Sequence, residues 1–118
     1  RVAKAFEEVT GSAPCLFRAP YGAIDDAVKA DLAEQNMISV LWSLDTEDWR
    51  APSAEAVYKS VMDVVRDGDI ILMHENAEYT VEVLPRILAA LKEQGYQVVT
   101  VSELIYAGSD IKAAAEGN

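Results

Sequence analysis

The sequence predicts an α/β fold in which parallel strands alternate with helices. Two observations carry the prediction. Short apolar runs near residues 15, 40, 71 and 99 recur about 28 residues apart. Between them lie segments whose apolar residues repeat every three or four positions, the helical period. Strands that alternate with helices build a parallel sheet covered by helices. A closed barrel of eight such units needs about 250 residues. The 118 residues here therefore make half a barrel or a small open sheet. A half barrel leaves two unpaired edges and an open core face, a liability in water.

The elements follow in order. Val2, Phe6 and Val9 fall at helical spacing, and Gly11 stops that helix. Cys15 to Phe17 reads as a buried strand, closed by a loop containing Pro20 and Gly22. Ile24, Val28 and Leu32 mark a second helix that stops near Asn36. Ile38 to Leu44 is the next strand, and Asp45 to Pro52 a polar loop. Ser53 is suited to cap a helix whose buried face is Val57, Tyr58, Val61, Met62 and Val65, with Gly68 at its end. Ile70 to Met73 is the third strand. A fourth helix buries Val83, Leu84, Ile87, Leu88 and Leu91 and ends at Gly95. Pro85 leaves the start of that helix open, since proline is best tolerated in a first turn. Val98 to Val101 is the fourth strand, Ser102 caps a short last helix, and the Ala-rich tail over 113–118 is frayed. Cys15 and Trp42 read as core.

Composition narrows the function. Ten Lys and Arg against twenty Asp and Glu give a net charge of −10. Such a chain repels phosphate backbones and anionic lipid surfaces, which argues against a nucleic-acid partner and a polybasic membrane mode. No apolar run approaches the ~18 residues of a membrane span. One Cys excludes an intrachain disulfide, and one His excludes a multi-histidine metal site within the chain. No signal peptide opens the sequence, and Arg1 is not expected to be the translation start.

In parallel α/β folds the carboxyl ends of the strands face one way and build the site. Here the first strand runs into Arg18-Ala19-Pro20-Tyr21-Gly22, the second into Asp45-Thr46-Glu47-Asp48-Trp49, and the third into Leu72-Met73-His74. One rim thus gathers an Arg, a His, several carboxylates and two aromatics. From the residues alone this is a polar, aromatic-lined site in which a histidine can pair with a carboxylate. His74-Glu75 opens like the zincin pattern H-E-x-x-H, but position 78 is Glu. No G-x-S-x-G elbow for a serine esterase is present.

The three motifs, in this order and spacing, resemble those of the polysaccharide deacetylases of the NodB-homology family, R-x-P-Y-G, D-x-x-D-W and L-x-H. The stretch from Gln94 to Leu104 is similar to the family's closing strand and helix. The resemblance implies that residues 1–118 are the C-terminal half of a distorted (β/α) barrel. It implies metal-dependent removal of acetyl groups from an acetylated polysaccharide such as peptidoglycan, chitin or xylan, outside the cell or at its envelope. In that scheme His74 is the general acid, and Asp48 holds its imidazolium in place. Arg18 pairs with a catalytic aspartate. The Tyr21 backbone N–H supports the oxyanion, and Trp49 and Leu72 wall the acetyl pocket.

Each residue also has a plain structural reading. His74 can be a satisfied histidine at a strand end, Asp48 a solvated loop acid, and Arg18 a partner in an ordinary salt bridge, for instance to Asp45. Trp49 and Leu72 can be core, and Asp45 can cap a loop. The family's base and its metal ligands, two aspartates and two histidines, lie in motifs that precede R-x-P-Y-G and are absent here. The resemblance therefore places the divalent metal, zinc in most of the family, on residues outside this chain. It makes the N-terminal half of the same domain the chain's partner. Glu75 stands where the family often has Asp. Two other readings stay open: a non-catalytic carbohydrate-binding or interaction module, and a flavodoxin-like domain of four βα units. The second expects an acidic cluster after the first strand, where Arg18 stands instead.

Overall fold

A computed structural model of the chain describes residues 2–106; the Ala-rich tail lies outside them. The chain divides into two compact units at the Leu41–Trp42 bond. Each is a strand, a helix and a second strand paired in parallel with the first. A parallel pair needs a crossover of a dozen or more residues, and the helical segments supply it.

In the first unit, α1 (Val2–Thr10) precedes β1 (Leu16–Phe17), α2 (Asp26–Glu34) and β2 (Ile38–Ser39). β1 and β2 are parallel, with Leu16 opposite Ile38 and Phe17 opposite Ser39. Asp25 caps α2, its carboxylate accepting the Val28 N–H at 2.8 Å. The expected period of α1 does produce a helix, and Gly11 follows it at φ 79°. Its apolar face is not buried, however: Val2 and Val9 are 83% and 87% exposed. Cys15, read as core, is exposed as well.

In the second unit, β3 (Leu44–Asp45), α3 (Ala54–Met62), β4 (Ile71–Leu72) and α4 (Thr80–Glu93) follow in order. β3 and β4 pair in parallel with Leu44 opposite Ile71 and Asp45 opposite Leu72. Ser53 caps α3 as expected, its hydroxyl accepting the Ala56 N–H at 3.1 Å. The core joins Leu44 of β3 to Val57 and Val61 of α3 and to Val83, Ile87 and Leu91 of α4. These positions recur at helical spacing, so each helix buries one stripe. Full burial of one such side chain stabilises by about 1.5–3 kcal/mol. At the edge of the helix pair, the Arg86 guanidinium lies 3.9 Å from the Tyr58 ring centroid and donates to Glu55 Oε2 at 2.7 Å.

Four expectations are corrected, and the start of α4, left open, is fixed. The strand expected over Ile38–Leu44 is two, β2 and β3. Between them the carbonyls of Val40 and Leu41 accept from the Arg18 side chain at 3.4 and 2.9 Å, which diverts them from a strand ladder. α3 ends at Met62, before Gly68, with Asp63 at its C-cap. α4 begins five residues ahead of Pro85. The helix tolerates it because Val81, whose carbonyl loses its partner there, is 70% exposed and open to water. Finally, residues 98–100 are not a strand, and 101–106 are helical. Thr100 rather than Ser102 caps that turn. Its hydroxyl accepts the Glu103 N–H at 3.2 Å, and the Glu103 carboxylate accepts the Thr100 N–H at 2.8 Å, a reciprocal capping box.

Candidate active site

The register of β3 and β4 sets the site. Asp45 and Leu72 are partners at the carboxyl ends of parallel strands, so the residues that follow each leave the sheet side by side. After β3, Asp45 Oδ1 accepts the Glu47 N–H at 2.9 Å, and the chain turns through a left-handed Glu47 at φ 50° into a short 3₁₀ turn, Asp48–Arg50. Asp45 is thus a loop-capping side chain. Thr46, buried, donates its hydroxyl to the Leu72 carbonyl at 2.8 Å and ties this turn to the end of β4. After β4, Met73 leads to His74.

Asp48 is the centre of the arrangement. Its side chain is 1% exposed, whereas that of His74 is 40% exposed. Oδ1 of Asp48 lies 2.7 Å from His74 Nδ1. Oδ2 accepts the His74 backbone N–H at 2.7 Å and the Thr80 hydroxyl at 2.6 Å. Burial pushes the Asp48 carboxyl upward, but the hydrogen bonds from Thr80 and His74 outweigh it and hold the group below its ordinary 3.8. Asp48 is therefore ionised at neutral pH and can only accept. Nδ1 must then be the donor, and Nε2 is the nitrogen of this partly exposed ring that Asp48 does not engage.

The other expected residues distribute as follows. Trp49, expected as an apolar wall, is 65% exposed, so it is not core. The Arg50 guanidinium carbon lies 5.6 Å from its ring centroid. Leu72 is half-buried on β4. Asp48, Trp49, Leu72 and His74 belong to the second unit, Arg18 and Tyr21 to the first. Tyr21 is fully exposed, in a 3₁₀ turn Pro20–Gly22, and holds a left-handed backbone at φ 58° and ψ 13°. A tyrosine there is strained, a feature that clusters at functional positions. Trp42, read as core, is half-buried.

Thr80 and Thr46 escaped the sequence reading. A hydroxyl residue at the start of a helix reads as a cap. Here Tyr79 holds the N-cap position without a side-chain bond, and the Thr80 hydroxyl turns to Asp48 instead. Among the described residues no group of three or more His, Cys, Asp or Glu is placed to hold a metal ion. The one histidine already spends Nδ1 on Asp48. The described residues do not fit a resident metal.

No family model matches the chain. It is 42% identical over 107 residues to a peptidoglycan-N-acetylglucosamine deacetylase of Bacillus cereus, covering 86% of this chain and 50% of that protein. It superposes on the structure of the peptidoglycan deacetylase PdaC of Bacillus subtilis with a TM-score of 0.83 and 32% identity, over 96% of this chain and 55% of the other. A wild-type Bacillus anthracis protein described as a CE4 family pseudoenzyme is also similar. Its TM-score is 0.79 at 32% identity, over 86% of this chain and 36% of that one. The chain spans about half the length of the curated Bacillus cereus relative.

Proposed function

Because the chain belongs to the CE4, or NodB-homology, polysaccharide deacetylases and covers part of their catalytic domain, we propose that it supplies the proton-donating side of acetyl removal from a cell-envelope polysaccharide. The observation that carries this reading is the buried, ionised Asp48 against His74 Nδ1 at 2.7 Å. Asp48 fixes the orientation of the ring through Nδ1. His74 then carries a transferable proton on Nε2. When the tetrahedral intermediate collapses, the bond from the acetyl carbon to the sugar nitrogen or oxygen breaks. Its electron pair goes to the leaving atom, and the Nε2 proton follows. The products are acetate and a free amine or hydroxyl.

Residues 1–118 are, on this reading, the C-terminal half of one catalytic domain. The base and the ligands of the divalent metal, zinc in most of the family, lie on a segment outside this chain. Arg18 is proposed to orient a carboxylate of that segment, its planar fork being matched to one. Tyr21 offers its backbone N–H to the oxyanion, and Trp49 and Leu72 form the apolar wall of the acetyl pocket. The similarity to peptidoglycan deacetylases supports peptidoglycan as the substrate class and the cell envelope as the location.

The test is His74→Ala in the complete protein, assayed for acetate release from peptidoglycan with metal content measured alongside. The expected result is a loss of about 10²–10⁴-fold in turnover with the metal retained. Loss of metal together with activity would make His74 a ligand and overturn the role. The similarity to a pseudoenzyme keeps a second reading in view, a non-catalytic glycan-binding module. Binding of peptidoglycan by a wild-type protein that releases no acetate would favour it.

A further inference from the structure

We infer that Thr80 is a positioning residue for His74, acting through Asp48. The inference rests on the proposed role of His74 as the proton donor. It is carried by how the lone pairs of Asp48 are used. Among the described residues, Oδ2 takes two donors, the Thr80 hydroxyl at 2.6 Å and the His74 N–H at 2.7 Å, while Oδ1 faces only Nδ1 at 2.7 Å. The two donors on Oδ2 approach from different chain segments. The His74 N–H comes from the residue after the β4 edge, and the hydroxyl from the first residue of α4. Together they stop the carboxylate from rotating, so that Oδ1 remains aimed at the ring.

Thr80 is 4% exposed and Asp48 2%, so no bulk water replaces this hydroxyl if it is lost. A hydrogen bond to a charged group is worth about 1.5–3 kcal/mol, more than a neutral one. Without it the carboxylate is held by His74 alone. It can then turn toward the His74 backbone N–H, and the ring can take the other tautomer. Thr80 touches no reacting atom in this scheme. It decides whether Nδ1 or Nε2 carries the proton of the neutral ring, and hence whether Nε2 is the site of exchange.

The experiment compares wild type, Thr80→Val and Thr80→Ser in the complete protein. Val keeps the shape and removes the hydroxyl, whereas Ser keeps the hydroxyl and removes the methyl. Steady-state kinetics on peptidoglycan are expected to show kcat lowered roughly tenfold or more in the Val variant with KM unchanged, and largely recovered in the Ser variant. Equal losses in both variants would mean a packing role and overturn the inference, as would unchanged kcat in a folded Val variant. If Thr80→Val does not fold, Thr80→Ala is read in its place.

A second readout needs no activity. Imidazole ¹⁵N spectra, with the His74 signal identified by its loss in His74→Gln, are expected to show the Nδ1–H tautomer in the wild type and a rise of the Nε2–H tautomer in Thr80→Val. A wild-type ring protonated on Nε2, or a tautomer indifferent to the hydroxyl, overturns the positioning role. A wild-type protein that releases no acetate would instead overturn the proposed function. The tautomer would then still decide whether Thr80 positions the ring.

Discussion

Asp48 shows how one side chain converts burial into chemistry. Three donors reach its carboxylate, from Thr80 and twice from His74. They hold it below its ordinary 3.8 against the opposite pull of burial. The folded chain therefore gives up the Asp48 proton more readily than the unfolded chain. Its stabilising contribution is complete above about pH 4 and fades as the pH falls through the lowered folded value. Asp48→Asn should cost roughly 2–3 kcal/mol at pH 7, and the gap to wild type should narrow below pH 4. Urea titrations across pH 3–7 measure it, and a gap independent of pH would contradict the lowered Asp48 carboxyl. Tyr21 makes a second residue-scale case, since its strain is in the backbone. Tyr21→Gly should stabilise by about 1 kcal/mol, and Tyr21→Val should destabilise by a similar amount. At this scale the His–carboxylate possibility was legible, because both residues lie in polar motifs that follow apolar runs. Thr80 was not, because nothing in a sequence says whether a hydroxyl at a helix start turns to its own backbone or away from it. Neither was the exposure of Trp49 or Cys15, since an apolar residue beside a strand reads as core.

At the scale of elements, helices were more legible than strands. A helix satisfies its own backbone, so the periods of α1, α3 and α4 sufficed to find them. A strand exists only where a neighbour takes its N–H and C=O groups. Val98 and Val99, an apolar pair with high β propensity, form no strand among the described residues and are 64% and 43% exposed. The run over Ile38–Leu44 failed differently, because Arg18 captured two of its carbonyls. Two measurements probe the elements that did form. Ile87→Ala, at a position 1% exposed where α4 meets α3, should cost about 3 kcal/mol in denaturant unfolding. Ser53→Ala removes the acceptor for the Ala56 N–H and should cost about 1 kcal/mol, with Ser53→Asp close to neutral. If the alanine variant at 53 matches wild type, the α3 cap contributes nothing.

For the whole molecule, the motif order was enough to read the family, and the alternation of apolar runs with helical periods to read its parallel α/β character. Residues 1–118 expressed alone should bind no stoichiometric zinc by elemental analysis, and adding the upstream half should restore it. Zinc bound tightly by the short chain would overturn the assignment of the ligands to another segment. The hydrogen bonds around Asp48 also carry a consequence for the order of folding. Its partners are 26 and 32 residues away along the chain, two bonds reaching His74 after β4 and the third Thr80 at the start of α4. Closing such loops costs entropy that only the packed α3–α4 core can offset. The Asp48–His74 pair is therefore among the last features to form and the first to open. The amide proton of His74, donated to Asp48, should exchange with solvent before those of Ile87 and Leu91, so that loss of the site precedes loss of the fold.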